Sequence, residues 1–289
     1  MKVWILARKE NFENYENQRF KEEAEKEGIE LLLGASDDFD IIVTKEGKKS
    51  ILYKGDYVDL PDCLIPRRGS GTKYFDLAVI RHLEKMGVFV VNSSQSIETA
   101  KDKLHTLQML AANKIPIPKT ILAKLPLNID FIEKYFTYPL IIKTLSGSEG
   151  KGVFFCENRE QLEDFINFIE VSKDVNVNIT LQEFFESSKG RDIRVFVLGG
   201  RAIGAMLRIA KEGKIKANFS AGGEVSSFEL KPDVEWLAVE SARVIGLDIA
   251  GVDILFNGDT YVVSEVNSSP GFKGFEKATG INIPQEIYH

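Results

Sequence analysis

Three oxygen-bearing side chains near the carboxyl end of the chain have the types and the spacing of a magnesium site. Asp253 interrupts the apolar run Val252–Phe256, and Glu265 and Asn267 lie two residues apart in a second apolar run. Residues two apart on a strand point to the same face of the sheet. Because Mg²⁺ prefers carboxylate, amide and water oxygens, these three residues are candidate metal ligands. A solvated polar strand face is the alternative interpretation.

The turn between the two apolar runs decides whether these side chains meet. A hairpin that turns about Asp259 pairs Asp253 with Glu265 and places all three candidate ligands on one face. A two-residue loop at Asn257-Gly258 pairs Asp253 with Val262 and separates the ligands. The metal hypothesis therefore predicts a hairpin loop with an odd number of residues.

A glycine-rich loop between two predicted strands has the composition of a phosphate-binding loop. The segment Ser146–Gly152 contains three glycines in seven residues, which would let backbone N–H groups approach phosphate oxygens. It lacks the Gly-x-x-x-x-Gly-Lys-Ser/Thr pattern, and no predicted helix follows it. Lys143, near the end of the preceding strand, could act as a cationic phosphate ligand. An ordinary hairpin loop and a lysine on a solvent-facing edge are the alternatives.

Two charged residues, Asp192 and Arg194, alternate along a later predicted strand and so share one face. Asp192 could accept a hydrogen bond from a sugar hydroxyl, and Arg194 could neutralise charge that develops on a phosphoryl group. Gly199-Gly200 predicts a hairpin after this strand, and Arg208 lies on the returning strand. A surface ion pair is the alternative interpretation of these charges.

The apolar periodicity predicts the elements that must position these residues. Strands and helices alternate over the first 90 residues, with helices over Glu13–Glu27 and Phe75–Met86, and this alternation predicts a small, mostly parallel sheet. A single helix over Ile97–Ala112 is predicted next, before a series of hairpins of which the last joins Val252–Phe256 to Tyr261–Asn267. Frequent hairpins indicate antiparallel sheets in an α+β architecture.

Length and composition are typical of a soluble globular protein of about two domains. The 289 residues are 44% hydrophobic and 28% charged. The net charge of −6 argues against binding of duplex nucleic acid by bulk electrostatics. No apolar run approaches the roughly 20 residues that a membrane-spanning helix needs. Cys63 and Cys156 are the only two cysteines, which excludes a four-cysteine zinc site, and such sparse use of cysteine is typical of a cytoplasmic protein.

In this order, the motifs of the chain resemble those of the ATP-grasp ligases, and most closely those of their RimK-like branch. The resemblance extends from about Ile65 to Ile287. The matching stretches are Ile65-Pro66-Arg67, Asp102-Lys103-Leu104, Gln182-Glu183-Phe184, Lys189–Arg194, Ala210–Gly213, Ala250–Leu255 and Glu265–Phe272. The order of so many motifs is far more specific than a lone glycine loop.

The resemblance implies an ATP-grasp fold of α/β and α+β parts. It predicts an N-terminal Rossmann-like pre-ATP-grasp domain over residues 1–92 and two α+β subdomains, over residues 93–181 and 182–289, that hold ATP between them. The implied nucleotide contacts are Lys103, Lys143, Ser146, Gly147, Ser148, Gly150, Gly152, Gln182, Glu183, Phe184, Asp192, Lys216 and Asn218. The implied metal ligands are Asp253, Glu265 and Asn267, and Arg194 and Arg208 are the implied catalytic residues beside the transferred phosphate.

The resemblance also implies a reaction. ATP phosphorylates a substrate carboxylate, and an amine then attacks the acyl phosphate to form an amide, with two Mg²⁺ ions, or Mn²⁺ in their place, offsetting phosphate charge. Glutamate is the favoured amino acid, and the acceptor, whether protein tail, peptide or small molecule, stays open. An ATP-binding regulatory module of the same fold is the alternative function. A biotin-dependent carboxylase subunit fits poorly, because the chain is short for such a subunit.

Two departures from the family pattern bear on the length of the product. Ala221 stands where such enzymes often carry a basic residue, and Ile209 replaces a common second arginine. A site with fewer cations would leave the carboxylates of a long polyglutamate chain without partners, so we expect addition of one or few residues. Arg67 and Arg68 could supply the missing charge if they face the cleft. Relatives imply a homodimer or homotetramer.

Overall fold

The computed structural model describes residues 1–45, 50–123, 125–144, 152–171, 178–211 and 223–289. In chain order, the strands are β1 (Lys2–Leu6), β2 (Glu30–Gly34), β3 (Phe39–Ile41), β4 (Ile51–Tyr53), β5 (Asp56–Tyr57), β6 (Cys63–Pro66), β7 (Phe89–Val90), β8 (Thr120–Ala123), β9 (Leu140–Thr144), β10 (Val153–Cys156), β11 (Ile179–Glu183), β12 (Arg191–Leu198), β13 (Arg201–Ile209), β14 (Glu224–Phe228), β15 (Ile249–Asn257) and β16 (Thr260–Asn267). The helices are α1 (Tyr15–Glu27), α2 (Tyr74–Lys85), α3 (Ser94–Lys101), α4 (Lys103–Ala112), α5 (Ile129–Tyr135), α6 (Arg159–Val171), α7 (Pro232–Ile245), α8 (Lys273–Thr279) and α9 (Ile283–Tyr288).

The amino-terminal part contains the predicted parallel sheet. Its four strands lie in the order β2-β1-β6-β7, and every pair of neighbours is parallel. The helix predicted over Glu13–Glu27 is α1, which begins after the Asn14 cap and ends at Gly28, whose φ of +64° is left-handed. A second, antiparallel sheet of order β3-β4-β5 was not predicted, and its strands are only two or three residues long.

The single helix predicted over Ile97–Ala112 is wrong, because two helices occupy this region. Asp102 separates α3 from α4 with extended backbone (φ −85°, ψ 99°), and its side chain accepts a hydrogen bond from the backbone N–H of His105. An aspartate that caps a helix in this way satisfies an N–H group that has no partner within the helix. The break makes Lys103 the first residue of α4 and so fixes the position of its backbone.

The two remaining sheets are antiparallel, as the hairpins predicted. The central sheet has the order β10-β9-β11-β8, and the carboxyl-terminal sheet has the order β14-β13-β12-β15-β16. Helices α5 and α6 cover the central sheet around Ile132 and Leu162, whereas α7 covers the carboxyl-terminal sheet through Val234 and Leu237. Leu110 of α4 packs into this second core. Each sheet buries one apolar face under helices, so polar side chains can lie on the other face.

The amino-terminal sheet packs directly onto the carboxyl-terminal part of the chain. One apolar cluster joins Val3 and Phe20 to Phe196, Phe272 and Phe275, all of them almost fully buried. The three predicted domain ranges stay a prediction. The predicted boundary between residues 181 and 182 falls within β11, a strand that pairs with β8 and β9 of the central sheet. Within the part of the chain that the structure describes, no helix has the length and the apolar character needed to cross a bilayer.

Candidate active site

The hairpin of β15 and β16 pairs Asp253 with Glu265 and Gly251 with Asn267. The odd loop predicted for this hairpin is wrong, because Asn257 pairs with Thr260 across a two-residue loop. The register instead shifts at a β-bulge between Asp253 and the next residue. A bulge sets two residues on one strand against one on its partner, so it has the same effect on the pairing as an extra loop residue. The candidate ligands therefore share one face by a different route.

Asp253 is held by two arginines from neighbouring strands. Arg194, directly opposite on β12, donates from Nε to Oδ1 and from a terminal nitrogen to Oδ2, both at 2.7 Å. A terminal nitrogen of Arg208, on β13, lies 2.9 Å from the same Oδ2. The side chains of Asp253 and Arg208 are 10% and 8% exposed, so water screens these charges weakly.

Asp192 completes a group of four alternating charges. It pairs with Arg208 across β12 and β13, and its carboxylate accepts from Nε at 2.5 Å and from a terminal nitrogen at 2.9 Å. Because Arg208 contacts both Asp192 and Asp253, the four side chains lie on one face of the sheet. We call Asp192, Arg194, Arg208 and Asp253 the charge cluster. Its charges cancel when all four groups are ionised.

The two carboxylates of the charge cluster have different pKa values. Burial raises the pKa of Asp253, but Arg194 and Arg208 together outweigh burial, and the pKa falls to about 2. Burial also raises the pKa of Asp192, and here it outweighs the attraction of Arg208, so the pKa rises to about 6. Asp253 contacts two arginines, whereas Asp192 contacts one and is also repelled by the charge of Asp253, so the two acids differ in pKa.

Two lysines from other elements extend the charged face. Lys103, at the start of α4, places Nζ 3.5 Å from Oε1 of Glu265. Lys143 lies on β9 of the central sheet, where burial lowers the pKa of its ammonium group and Glu265 and Asp253 act in the opposite direction. The central sheet and the carboxyl-terminal sheet therefore present charge to the same region.

Asp253, Glu265 and Asn267 fit a hard divalent cation. Two carboxylates and one amide supply only oxygen ligands, which suits Mg²⁺. Oδ1 of Asp253 receives one hydrogen bond from its arginine partners, and a carboxylate has about four lone-pair sites in all, so capacity for a metal remains. Among the described residues, no group of three or more His, Cys, Asp and Glu side chains could hold a metal ion. The candidate site does not form such a group, because its third ligand is the amide of Asn267.

Three of the predicted nucleotide contacts lie at the end of β11. Gln182 is 3% exposed, and its amide donates to Oγ1 of Thr120 at 2.8 Å. Glu183 is the last residue of the strand, and the ring of Phe184 meets that of Phe155 edge-on, with centroids 4.9 Å apart. The side chain of Gln182 is thus already satisfied within the protein, whereas Glu183 and Phe184 are half-buried at the strand end.

Gly152 is the one residue of the predicted phosphate loop that the structure describes. Its φ is +79°, and a Cβ atom placed on it would lie 2.1 Å from Oγ1 of Thr144. Its carbonyl accepts a hydrogen bond from the N–H of Thr144 at 2.8 Å. Both observations explain a glycine at this position. The other predicted residues of this loop and of the later nucleotide segment lie outside the described residues: Ser146, Gly147, Ser148, Gly150, Lys216 and Asn218.

Arg67 and Arg68 are each engaged within the protein. A terminal nitrogen of Arg67 donates to the carbonyl of Pro270 at 2.9 Å, and a terminal nitrogen of Arg68 lies 3.0 Å from Oδ1 of Asp76. The side chain of Arg68 is 9% exposed. The guanidinium groups of both arginines are therefore engaged by contacts within the protein.

Asn92 has a role that the sequence did not reveal. The run Asn92-Ser93-Ser94 has the composition of a turn. The Asn92 side chain is nevertheless 1% exposed, and it forms hydrogen bonds to the backbone where β15 begins and just after β16 ends. An amide directly after an apolar strand run was the available signal. Its partners are more than 150 positions away in the sequence, and nothing local identifies them.

The comparisons with known proteins agree with this architecture. The family model of the RimK-like ATP-grasp domain matches residues 100–289, and that of the RimK PreATP-grasp domain matches residues 1–97. A "Probable alpha-L-glutamate ligase" from Vibrio vulnificus (strain YJ016) is 39% identical over 289 residues, which cover 100% of this chain and 94% of that protein.

Solved structures show the same fold at lower identity. The structure of the ATP-grasp ligase PsnB complexed with a minimal precursor has a TM-score of 0.77 and 19% identity, and the match covers 99% of this chain and 97% of that one. A second PsnB structure, complexed with a phosphomimetic variant of the minimal precursor, Mg and ADP, also has a TM-score of 0.77 and 19% identity, with 98% and 94% covered.

Full-length similarity of this kind places the protein in a class: the chain belongs to the RimK-like ATP-grasp family. Its fold is the ATP-grasp fold preceded by a pre-ATP-grasp domain. Within that class it is a ligase that forms C–N bonds.

Proposed function

We propose that this ligase uses ATP to activate a substrate carboxylate and joins it to the amine of an amino acid, with glutamate favoured. The observation that carries the proposal is the charged face on which Arg194 and Arg208 contact Asp253 and Lys103 lies beside Glu265. Cations and oxygen ligands arranged together can bind and neutralise a polyphosphate. The name of the relative from Vibrio vulnificus supports glutamate as the amino acid.

The proposed chemistry has two bond-forming steps. A carboxylate oxygen of the substrate attacks the γ-phosphorus of ATP, and the bond from that phosphorus to the β-bridging oxygen breaks, which yields an acyl phosphate and ADP. The amine nitrogen then attacks the acyl carbon, inorganic phosphate leaves with the bonding electron pair, and the nitrogen loses its surplus proton to solvent. Activation is needed because a free carboxylate is a poor electrophile, and exclusion of water protects the acyl phosphate.

The charge cluster would supply the cations for phosphoryl transfer. Arg194 and Arg208 are the proposed catalytic residues, since their guanidinium groups are fixed by Asp253 and Asp192 before any substrate binds. Charge that is already oriented stabilises developing negative charge without reorganisation. Asp192 is also the proposed partner of the ribose, although Arg208 occupies both of its oxygens here.

Asp253, Glu265 and Asn267 are the proposed ligands of Mg²⁺. A bound divalent cation would neutralise phosphate oxygens and orient them for in-line transfer. The PsnB structure that holds Mg and ADP supports this choice of metal and nucleotide. We propose two ions, because Glu265 faces Asp253 on one side and lies two residues from Asn267 on the other. We also propose that Mn²⁺ can replace Mg²⁺, since both ions bind oxygen ligands.

The nucleotide would lie between the central and the carboxyl-terminal sheets, which we propose as the two ATP-holding subdomains. Lys103 and Lys143 approach this region from different elements and are the proposed phosphate contacts. Glu183 and Phe184 are the proposed adenine contacts, and Gln182 contributes by orienting the end of β11. Ser146, Gly147, Ser148, Gly150, Gly152, Lys216 and Asn218 complete the proposed nucleotide site, most of them beyond the described residues.

The charged side chains near the site bear on how many residues are added. The guanidinium group of Arg67 donates to Pro270 and lies over the ring of Phe272, and that of Arg68 pairs with Asp76, so both are already engaged within the protein. We therefore propose addition of one or few glutamates to a peptide, protein tail or small molecule. PsnB, which was solved with a precursor peptide, makes a peptide acceptor the first to test. A homo-oligomer is also proposed.

The deciding experiment is incubation with ATP, Mg²⁺, single amino acids and candidate acceptors, followed by product mass and nucleotide analysis. We expect ADP, phosphate and an adduct one or few residues heavier. Formation of AMP contradicts the acyl-phosphate route, and a long ladder of adducts contradicts the limited addition. ATP binding without turnover over a broad acceptor set supports the regulatory module instead.

Glu265→Ala tests the metal assignment in the same assay. The Glu265 side chain is 38% exposed, and its ion pair with Lys103 is long, at 3.5 Å. We therefore expect the fold to persist while turnover falls by about 10²-fold or more. Glu224→Ala, an exposed carboxylate on β14 of the same sheet, is the matched control and should retain wild-type turnover. Half of wild-type activity in Glu265→Ala would show that Glu265 is not a ligand.

A further inference from the structure

The six residues that follow the proposed ligand Asn267 contact the amino-terminal domain. We call residues 268–273 the post-ligand segment. Asn267 ends β16, and the amide of its side chain donates to the carbonyl of Gly251 at 3.4 Å. A hydrogen bond of that length is weak. The position of Asn267 therefore depends on how firmly the adjoining post-ligand segment is held.

Asn92 of the amino-terminal domain holds the first residue of the post-ligand segment. Its Nδ2 donates to the carbonyl of Ser268 at 2.8 Å and to that of Ile249 at 2.7 Å. Its Oδ1 accepts from the N–H groups of Asp248 and Ile249 at 2.7 and 2.8 Å. One buried amide thus joins the residue after β16 to the start of β15, and all its bonds are short.

Arg67 holds the middle of the same segment. A terminal nitrogen donates to the carbonyl of Pro270 at 2.9 Å, and the guanidinium group lies over the rings of Phe20 and Phe272, 5.9 and 5.6 Å from their centroids. Its other terminal nitrogen is buried and has no hydrogen-bond partner among the residues that the structure describes. Burial lowers the pKa of Arg67 to about 10, which leaves it charged at neutral pH.

Pro270 transmits this contact to the ligand strand. A Cβ atom placed on Gly251 would lie 2.6 Å from Cβ of Pro270, so the proline packs directly on the backbone opposite Asn267. Glu16 of α1 holds the far end, where its Oε1 accepts from the N–H of Phe272 at 3.2 Å. The amino-terminal domain therefore contacts the beginning, middle and end of the post-ligand segment.

We infer that Asn92 and Arg67 are positioning residues that hold Asn267 in the geometry that the metal requires. The inference rests on the proposed role of Asn267 as a metal ligand. Outer partners that orient a ligand typically change metal affinity by 10-fold to 100-fold when they are removed. The pre-ATP-grasp domain would then contribute to metal binding without supplying a ligand.

The test measures the affinity for Mn²⁺ in the presence of ADP by electron paramagnetic resonance. Arg67→Met keeps an apolar stem beside the phenylalanine rings and removes the donor to Pro270. Asn92→Ser removes both the Nδ2 donors and the Oδ1 acceptor. Arg19→Met is the control matched to Arg67→Met, because Arg19 also crosses to the carboxyl-terminal part but contacts Glu276 and Asn282.

Ser96→Ala is the second control, since Ser96 bonds to the carbonyl of Gly246 and not to the post-ligand segment. We expect Arg67→Met and Asn92→Ser to bind Mn²⁺ about 10-fold more weakly than wild type. Their affinity for ADP without metal should not change, and the two controls should match wild type in both measurements. If Asn92→Ser fails to fold, Arg67→Met decides the question alone.

Glu265→Ala separates failure of this inference from failure of the proposed function. If Glu265→Ala weakens Mn²⁺ binding while Arg67→Met and Asn92→Ser bind like their controls, the positioning role is wrong and the metal site stands. If wild type and Glu265→Ala bind Mn²⁺ equally, the metal site itself is wrong, and the inference falls with it.

Discussion

The two sheets that face the proposed nucleotide site hold their polar side chains in different ways. In the carboxyl-terminal sheet, Asp253 contacts Arg194 and Arg208 through charged groups that are at most 16% exposed. In the central sheet, Gln182 is held by one neutral hydrogen bond to Thr120, and Lys143 has charged neighbours but no ion pair among the described residues. The first sheet is electrostatically coupled, and the second is held by backbone pairing and apolar packing.

This difference has consequences for substitutions. In a coupled cluster, removal of one charge leaves its buried partners uncompensated, so stability and activity fall together. In the central sheet, removal of a polar group can change ligand affinity or stability separately, because the core around Leu140 and Leu181 remains. The comparison therefore predicts that the two effects separate in one sheet and not in the other.

The largest effect is expected for Asp253→Ala. The change leaves Arg194 and Arg208 without a shared partner, so we expect the free energy of unfolding to fall by about 3–5 kcal/mol and turnover by about 10²-fold or more. Urea denaturation and steady-state rates measure the two effects. Asp259→Ala, an exposed carboxylate in the turn of the same hairpin, is the control and should change neither. Full stability with lost turnover would show that the cluster is not coupled.

An intermediate effect is expected for Lys143→Met in the central sheet. Burial lowers the pKa of this lysine, so replacing the ammonium group by an apolar side chain of similar length should leave stability unchanged or raised. The apparent affinity for ATP should fall by about tenfold, because a cation near the phosphates is lost. Nucleotide titration and thermal melting separate these results. Lys134→Met, exposed on α5, serves as the control; an equal affinity in both variants contradicts the phosphate role.

The smallest effect on ATP affinity and turnover is expected for Thr120→Val. The substitution leaves the buried amide of Gln182 without its acceptor, which costs about 1–3 kcal/mol in the free energy of unfolding. We expect only a few-fold loss of ATP affinity, because Gln182 orients the strand end and does not need to touch the nucleotide. Thr260→Val, whose hydroxyl bonds to the backbone in an exposed turn, is the matched control. A loss of turnover as large as that of Asp253→Ala would contradict the comparison.

Local sequence patterns were sufficient for most of the secondary structure. The end of α1 at Gly28 and the hairpin at Gly199-Gly200 follow from glycine's access to left-handed backbone, with φ values of +64°, +54° and +76°. The parallel sheet and the two larger antiparallel sheets follow from the spacing of helices and hairpins. The shared face of Asp192 and Arg194 follows from the two-residue period of a strand. Each of these properties depends on neighbours in the sequence.

The tertiary structure decided what brings the site together. The bulge beside Asp253 sets the register with Glu265, and a two-residue period gives no sign of where an extra residue enters a strand. The contact of Asn92 with Ser268 spans 176 positions, and that of Arg67 with Pro270 spans 203. The sequence alone indicated which side chains are candidates to carry the chemistry. Their alignment depends on packing between distant segments, because hydrogen bonds to backbone carbonyls carry no residue-specific signal that a linear pattern could reveal.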